Sequence, residues 1–145
     1  MTSLYYIDIY LYYQLSLQYF GFHGCAATVI SETWALSATH CVTGAEASYL
    51  TLRAGSSIRE TGGSVHKIKR IIQHPKFNKY ILDYDYALIE VADPFDLTQP
   101  GIETIALSVT DPAVGEIATI SGWAENGQVM RMRNGMTHDM SLLRC

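Results

Sequence analysis

The sequence predicts an all-β fold, a sandwich or a barrel, because short apolar or alternating segments recur between turn signals. Six such segments follow one another between Tyr13 and Val91. The 145 residues are enough for one compact domain. An apolar content of 48% with 17% charged residues is typical of globular chains, and we find neither internal repeats nor a low-complexity tract.

Each of the six segments has a recognisable strand pattern. The first alternates between apolar and polar residues, as half-buried strands do. The second and third are runs of small and β-branched residues, and the fourth alternates and ends at Ala54-Gly55. After a Gly62-Gly63 turn, the fifth is half apolar and half basic and stops at His74-Pro75, whereas the sixth is almost continuously apolar. The predicted strands are Tyr13 to Gln18, Gly24 to Ile30, Trp34 to Ala38, Tyr49 to Arg53, Val65 to Ile72 and Asp85 to Val91.

Beyond the sixth segment the strand pattern breaks. Asp93-Pro94 and Gln99-Pro100-Gly101 predict a linker over about 93–114, since proline and glycine interrupt strands. Residues from about 115 to 124 predict a seventh strand. After Gly127 no clear period remains, and we expect residues 128–145 to form a divergent or disordered tail.

The charge pattern argues against two classes of partner. The net charge is −4, and the basic cluster Lys67, Lys69 and Arg70 is too small for a nucleic-acid or anionic-membrane surface. The run from Leu4 to Tyr13 is apolar and rich in tyrosine, but it contains Asp8 and is too short and too polar to span a bilayer. It also lacks the basic flank and the cleavage site of a signal peptide. We therefore expect no nucleic acid and no membrane among the partners.

Two of the three cysteines lie at the ends of neighbouring predicted strands. A hairpin through Ser31-Glu32-Thr33 would bring Cys25 and Cys41 together, and a disulfide there would constrain the unfolded chain by roughly 3 kcal/mol. Such a bond would indicate an oxidising compartment. Two buried free thiols are the alternative, and the spacing does not decide between them. We expect the partner of Cys145, the last residue, to lie in a segment outside this sequence.

Five short motifs occur in a fixed order along the chain. They are Tyr13-Gln14-Leu15-Ser16-Leu17-Gln18, His23-Gly24-Cys25-Ala26-Ala27-Thr28-Val29-Ile30, Trp34-Ala35-Leu36-Ser37-Ala38-Thr39-His40-Cys41, Asp85-Tyr86-Ala87-Leu88-Ile89 and Ser121-Gly122-Trp123-Ala124. In order and spacing they resemble the strand and active-site motifs of the trypsin-like (chymotrypsin-fold) serine endopeptidases, from residue 13 to about residue 127. One such motif would be weak evidence, whereas five in register are strong evidence.

The resemblance implies a fold of two six-stranded antiparallel barrels with the active site in the cleft between them. Residues 1–127 would then be a partial peptidase domain, with the first barrel over about 13–92, the linker over about 93–114 and the first strand of the second barrel over about 115–124. In this family the first barrel contributes a histidine and an aspartate. The second barrel contributes the serine, the oxyanion hole and the specificity pocket. The resemblance also implies an extracellular, secreted protein.

By this resemblance His40 is the general base and Asp85 holds its ring in the right tautomer, the roles of the family's catalytic triad. Asp83 is a competing acid, since two residues that are two apart on a strand share a face. Asp85 is preferred because it lies nearest to the apolar run that begins at Ala87. A Cys25–Cys41 disulfide would hold the backbone beside His40, where a misplacement of about 1 Å can cost roughly 100-fold in rate.

The nucleophile of the triad is missing from the sequence, which has no Asp-Ser pair and no Gly-x-Ser-x-Gly. Ser56, Ser57 and Ser64 lie in turn-like positions where the family has no catalytic serine, and Ser141 has no flanking glycine for a tight donor turn. We therefore expect a serine-type endopeptidase sequence that is truncated and inactive as written. The alternative is a non-catalytic serine protease homologue that acts as a binding or regulatory module.

No cofactor and no metal are expected. His40, His66 and His74 lie in no HxH or HExxH spacing, and no cysteine pair has zinc-ligand spacing. We expect His66 to be solvated beside its neighbouring lysines and His74 to lie in a turn before Pro75. A polypeptide substrate is expected if a second barrel completes the site. The isolated chain is expected to self-associate through the apolar face that a lone first barrel exposes.

Overall fold

The computed structural model describes residues 12–111, 113 and 121–123. In this part of the chain, six strands form one closed antiparallel barrel in the order β1-β2-β3-β6-β5-β4, and a 3₁₀ turn spans Ala47–Tyr49. The predicted all-β fold and six-stranded antiparallel barrel are confirmed. The strands are β1 (Gln14–Tyr19), β2 (Phe22–Val29), β3 (Trp34–Ser37), β4 (Leu50–Ala54), β5 (Ser64–Gln73) and β6 (Ala87–Val91).

Two expectations fall partly or wholly outside this description. Of the predicted seventh strand over about 115–124, only residues 121–123 are described, and the predicted tail 128–145, with Cys145, lies outside the described residues. Among the residues that are described, we find no helix long and apolar enough to cross a membrane.

The pairing of β3 with β6 brings two distant parts of the chain to one end of the barrel. The two strands are antiparallel, and Ser37 at the end of β3 lies opposite Ala87 at the start of β6. The chain leaving β3 and the chain entering β6 therefore meet at the same barrel edge. His40 follows β3 and Asp85 precedes β6, so both residues lie at that edge.

Side chains from all six strands fill the barrel interior. The burial of β4 and β6 alternates from residue to residue, as expected for strands with one covered face. Leu15, Leu17, Leu52 and Ile89 are 0% exposed. Full burial of one such side chain stabilises the fold by about 1.5–3 kcal/mol. This packed interior holds the two strands whose ends carry His40 and Asp85.

The first strand departs from the alternation that its sequence predicts, because its polar residues are buried as well. Ser16 and Gln18 are each 1% exposed. The hydroxyl of Ser16 lies 2.8 Å from Nδ1 of His23, and Gln18 Nε2 donates to the carbonyl of Arg59 at 2.7 Å. The ring of Trp123 packs edge-on against His23, and burial lowers the pKa of His23. The outer face of β1 is therefore buried, and its polar side chains form hydrogen bonds with the residues that bury it.

The turn between β4 and β5 requires glycine at both positions of the predicted Gly62-Gly63 pair. Gly62 has φ +75 and Gly63 has φ +58, in the left-handed region that side chains disfavour. A Cβ atom on Gly63 would also lie 1.9 Å from the carbonyl oxygen of Ala54. The turn that joins these strands is therefore fixed by both backbone conformation and close packing.

Glu90 is the charged exception in the apolar strand β6, and its partners on β5 explain it. Its carboxylate accepts a hydrogen bond from Lys69 Nζ at 2.9 Å and another from Arg70 Nε. A bulge in β5 between Ile68 and Arg70 directs these consecutive side chains to the same carboxylate. Their hydrogen bonds lower the pKa of Glu90. Because both cations are largely exposed, the ion pairs contribute little to stability.

Candidate active site

A buried threonine fixes the turn that carries His40. Thr39 is 0% exposed, and its hydroxyl donates to the carbonyl of Tyr86 at 2.7 Å. Its own carbonyl accepts the backbone N–H groups of Val42 and Thr43 at 3.0 and 2.9 Å. The turn is thus closed on itself and tied to the segment that enters β6. The sequence did not predict this role of Thr39, because a hydroxyl beside a histidine does not show which group will accept its hydrogen bond.

The carboxylate of Asp85 contacts His40 in two places. Its Oδ2 atom lies 2.6 Å from His40 Nδ1, and its Oδ1 atom accepts the backbone N–H of His40 at 2.8 Å. The Asp85 side chain is 6% exposed and the His40 side chain 33% exposed. The ionised acid therefore favours the tautomer that carries its proton on Nδ1 and leaves Nε2 as the basic nitrogen. The structure thus brings together the two residues that the motif comparison singled out.

Asp83, the competing acid, lies elsewhere. Its Oδ1 atom accepts the backbone N–H of Tyr84 at 2.9 Å, and its backbone bridges to Asn78. The assumption that Asp83 and Asp85 share one strand face does not hold, because β6 begins only at Ala87 and Tyr84 has φ +55. The left-handed Tyr84 between the two acids turns their side chains in different directions, and of these two acids it is Asp85 that contacts His40.

A disulfide joins Cys25 on β2 to Cys41, directly after His40. Both cysteines are buried, at 4% and 5% exposure. The sulfur of Cys41 lies 3.3 Å from Nε2 of His40. The open choice between a disulfide and two free thiols is therefore answered in favour of the disulfide. Its effect on the site is to hold the backbone on the C-terminal side of His40 to the neighbouring strand.

The loop before Asp85 is braced by stacked rings. His74, directly after β5, stacks on Tyr84 with ring centroids 4.7 Å apart and an interplanar angle of 9°. The ring of Tyr86 lies 4.6 Å from His74 on a tilt, and the His74 backbone N–H donates to the Tyr86 carbonyl. His74 therefore does more than end a strand before Pro75. It links β5 to the segment that positions Asp85.

His66 is buried, so the expectation that it is solvated is wrong. It is 8% exposed, its Nε2 lies 2.8 Å from the Ser64 hydroxyl, and its Nδ1 lies 3.1 Å from the Asp93 carbonyl. The reason is the alternation of β5, in which His66 faces inward while Lys67 on the next position faces outward. His66 also packs against the ring of Phe95, with ring centroids 4.7 Å apart.

No serine hydroxyl of residues 12–111 or 121–123 is bonded to His40. Ser56 Oγ bonds to the backbone of Ile58 and Thr61 and closes its own turn. Ser57 offers its carbonyl to the indole N–H of Trp123 at 2.8 Å. Ser64 bonds to His66, and Ser141 lies outside the described residues. In the described part of the chain, His40 and Asp85 therefore lie together without a serine hydroxyl bonded to His40.

A shallow surface cavity of about 470 Å³ lies beside this region, lined by Thr43 and residues 75–80. Neither His40 nor Asp85 lines it. His40 and Asp85 instead lie at the barrel edge, where the His40 side chain is 33% exposed. The arrangement can hold a proton on Nδ1 and accept one at Nε2, which is the chemistry of a general base.

Comparisons with a family model and with individual proteins point to the same family. The family model described as Trypsin matches residues 8–141. A trypsin of Phaedon cochleariae is 36% identical over 115 residues, which are 77% of this chain and 44% of that protein. A trypsin of Simulium vittatum is 32% identical over 132 residues, which are 86% of this chain and 51% of that protein.

A solved structure shares the fold. The crystal structure of the scabies mite inactivated protease paralogue S-D1 aligns with a TM-score of 0.74 and 22% identity, over 86% of this chain and 53% of that chain. The chain spans about half the length of the curated relatives it matches. The family match covers most of the sequence, and the barrel has the corresponding fold. This chain belongs to the trypsin family of serine proteases.

Proposed function

We propose that His40 and Asp85 are the general base and the orienting acid of a serine endopeptidase whose nucleophilic serine lies in a second barrel. The observation that carries this proposal is the double contact of Asp85 with His40, at 2.8 Å to the backbone N–H and 2.6 Å to Nδ1. A carboxylate that fixes both the backbone and the ring leaves Nε2 oriented for proton transfer. The substrate class is a polypeptide.

The reaction has an acylation half and a deacylation half, and in each half Nε2 of His40 accepts a proton and then returns it. It takes the proton of the serine hydroxyl as that oxygen attacks the peptide carbonyl carbon, and Asp85 stabilises the imidazolium that forms. The same proton then goes to the leaving amine as the C–N bond breaks and an acyl-serine remains. In the second half a water molecule gives a proton to Nε2 and attacks the acyl carbon. The serine oxygen then leaves and takes that proton back from Nε2.

We infer that residues 1–145 alone do not hydrolyse peptide bonds. The support is the sequence, which contains no Asp-Ser pair, and the contacts of Ser56 and Ser64, which are used within the barrel. A base without a nucleophile and without donors for the oxyanion lacks most of the transition-state stabilisation. The chain would become active when a second barrel supplies both.

We also propose that the protein works in an oxidising, extracellular compartment. The Cys25–Cys41 disulfide supports this location, because such bonds persist mainly in secreted proteins. Mass spectrometry of the protein purified from its natural source, alkylated in denaturant without a reductant, is expected to find Cys25 and Cys41 unlabelled. Labelling of both cysteines would show free thiols and contradict the proposed location.

The second candidate is a non-catalytic protease homologue that binds or regulates another protein. A binding module would not need the Asp-Ser pair that residues 1–145 do not contain. The two candidates differ in what the complete protein contains. A peptidase requires a serine in a Gly-Asp-Ser-Gly-Gly context in the second barrel, whereas a binding module does not.

The test uses the product of the full transcript, read in frame past Gly127, and follows hydrolysis of a fluorogenic peptide. Asp85→Asn is expected to lower kcat by about 10⁴-fold, because the ring then loses the acceptor that fixes its tautomer. Asp83→Asn is the matched control, because it removes a carboxylate two residues before Asp85. The Asp83 side chain accepts the backbone N–H of Tyr84 in its own loop. Equal effects of the two substitutions, or full activity of Asp85→Asn, would contradict the proposal. A product that lacks the serine motif and hydrolyses nothing would support the binding module instead.

A further inference from the structure

Asp85 occupies the centre of a tight turn. The backbone N–H of Tyr86 donates to the carbonyl of Tyr84 at 2.9 Å, so the turn closes around Asp85. Its first residue, Tyr84, has a left-handed backbone with φ +55. That conformation costs a bulky side chain free energy, and it persists only where the surrounding structure holds it. The direction of the Asp85 carboxylate therefore depends on the groups that hold Tyr84.

The ring of Tyr84 contacts two groups from the segment that follows β5. The ring of His74 stacks on it with centroids 4.7 Å apart and an interplanar angle of 9°. The ammonium of Lys76 lies 5.6 Å from the centroid of the same ring. Parallel ring stacking and a cation over a tyrosine face are both favourable contacts. The Tyr84 side chain is thereby attached to the end of β5, although it is 40% exposed.

His74 also contacts the other side of the same turn. Its ring centroid lies 4.6 Å from that of Tyr86, and its backbone N–H donates to the Tyr86 carbonyl at 3.3 Å. Its Nδ1 atom accepts the backbone N–H of Lys76 at 3.3 Å, which fixes the plane of the ring. One side chain therefore contacts both residues that flank Asp85.

The position of this turn matters because the contacts of Asp85 with His40 tolerate little displacement. The Asp85 carboxylate lies 2.6 Å from Nδ1 of His40 and 2.8 Å from its backbone nitrogen. A displacement of about 1 Å away from His40 would take both contacts beyond hydrogen-bonding distance. The imidazole would then lose the acceptor that holds its proton on Nδ1.

From these contacts we propose that His74 is a positioning residue of the candidate site, which acts through the rings of Tyr84 and Tyr86 to direct Asp85 at Nδ1 of His40. His74 itself does not touch the reacting atoms. The effect on peptide hydrolysis rests on the proposed function. The effect on the protonation of the His40 ring does not, because the barrel described here contains every group involved.

The test measures the protonation of the His40 ring in the 145-residue chain. Nitrogen NMR of isotope-labelled histidines shows which ring nitrogen carries the proton, and a His40→Ala chain identifies the His40 signals. We expect the neutral ring of the parent to carry its proton on Nδ1. His74→Ala should shift it toward the form protonated on Nε2, whereas His74→Phe keeps a stacked ring and should restore most of the parent spectrum.

The same substitutions are compared in the product of the full transcript by hydrolysis of a fluorogenic peptide. We expect His74→Ala to lower kcat by roughly 10- to 100-fold, because the misplaced acid no longer fixes the base. KM should change little, and His74→Phe should recover most of the rate. An NMR shift without any hydrolysis by the parent would support the positioning role and contradict the proposed function.

Tyr80→Ala is the matched control. Tyr80 belongs to the same loop and has the ammonium of Lys79 over its ring at 5.2 Å, but it is 86% exposed. Its replacement should leave the His40 signals unchanged. A shift as large as that of His74→Ala would overturn the proposal, because any loosening of the loop would then have the same effect.

A second variant keeps the test decisive if circular dichroism shows that His74→Ala does not fold. Tyr84→Gly removes the stacked ring from a partly exposed position, and glycine adopts the left-handed conformation without strain. We expect it to move the His40 proton from Nδ1 as His74→Ala does. A folded Tyr84→Gly or His74→Ala chain that keeps the proton on Nδ1 would overturn the proposal, because the turn would then direct Asp85 without the stacked rings.

Discussion

At the scale of single residues, the position of His40 depends on two neighbours that hold it from different sides. Asp85 bonds to both its backbone and its ring, and the buried hydroxyl of Thr39 ties the turn to the carbonyl of Tyr86. The motif comparison predicted the pairing partner of His40 but not the role of Thr39. A motif identifies which residue occupies a position in the family. The partner of a hydroxyl group, in contrast, depends on the residues that the fold places around it.

The Thr39 hydrogen bond gives a residue-scale prediction. Thr39→Val keeps the volume and removes the donor to Tyr86, so we expect the free energy of unfolding to fall by about 1 kcal/mol. Thr39→Ser retains the hydroxyl and should recover most of that loss. Urea unfolding followed by tryptophan fluorescence measures both variants. Equal stability of the valine variant and the parent would mean that the bond contributes nothing.

At the scale of elements, the sequence located all six strands because their apolar patterns are interrupted by clear turn signals. Two details could not be predicted. The polar residues of β1 are buried because His23 and the backbone of Arg59 lie against them, and the alternation of a strand does not show what packs on its outer face. The segment before β6 is a loop with a left-handed residue at Tyr84, a conformation that this residue type does not indicate.

The turn between β4 and β5 gives an element-scale prediction. Gly63→Ala is expected to destabilise the barrel by about 2 kcal/mol or more, because the new methyl group meets the carbonyl of Ala54 and the backbone is left-handed. Gly44→Ala is the matched control, since Gly44 also has a positive φ but has nothing within 4 Å of the added atom. Its loss should be about 1 kcal/mol. Urea unfolding compares the two, and a loss at Gly63 no larger than that at Gly44 would contradict the close-packing argument.

At the scale of the whole molecule, the described chain is a closed barrel with many large apolar side chains on its surface. Phe20 and Phe22 are 73% and 71% exposed, and Tyr80 and Ile81 are 86% and 71% exposed. We propose that the isolated 145-residue chain self-associates through such surfaces, because contiguous exposed apolar area favours contact between copies. Light scattering over a range of concentrations is expected to show dimers or larger species, whereas a monodisperse monomer throughout would exclude this proposal.

We propose that this chain carries the base and the acid of a serine peptidase site but not its nucleophile. Labelling with a fluorophosphonate probe tests the claim most directly, with the 145-residue chain and the product of the full transcript compared side by side by mass spectrometry. We expect no labelled serine in the 145-residue chain and one labelled serine in the longer product, outside residues 1–145. Stoichiometric labelling of any serine within residues 1–145 would contradict the account, because the nucleophile would then lie in the chain itself.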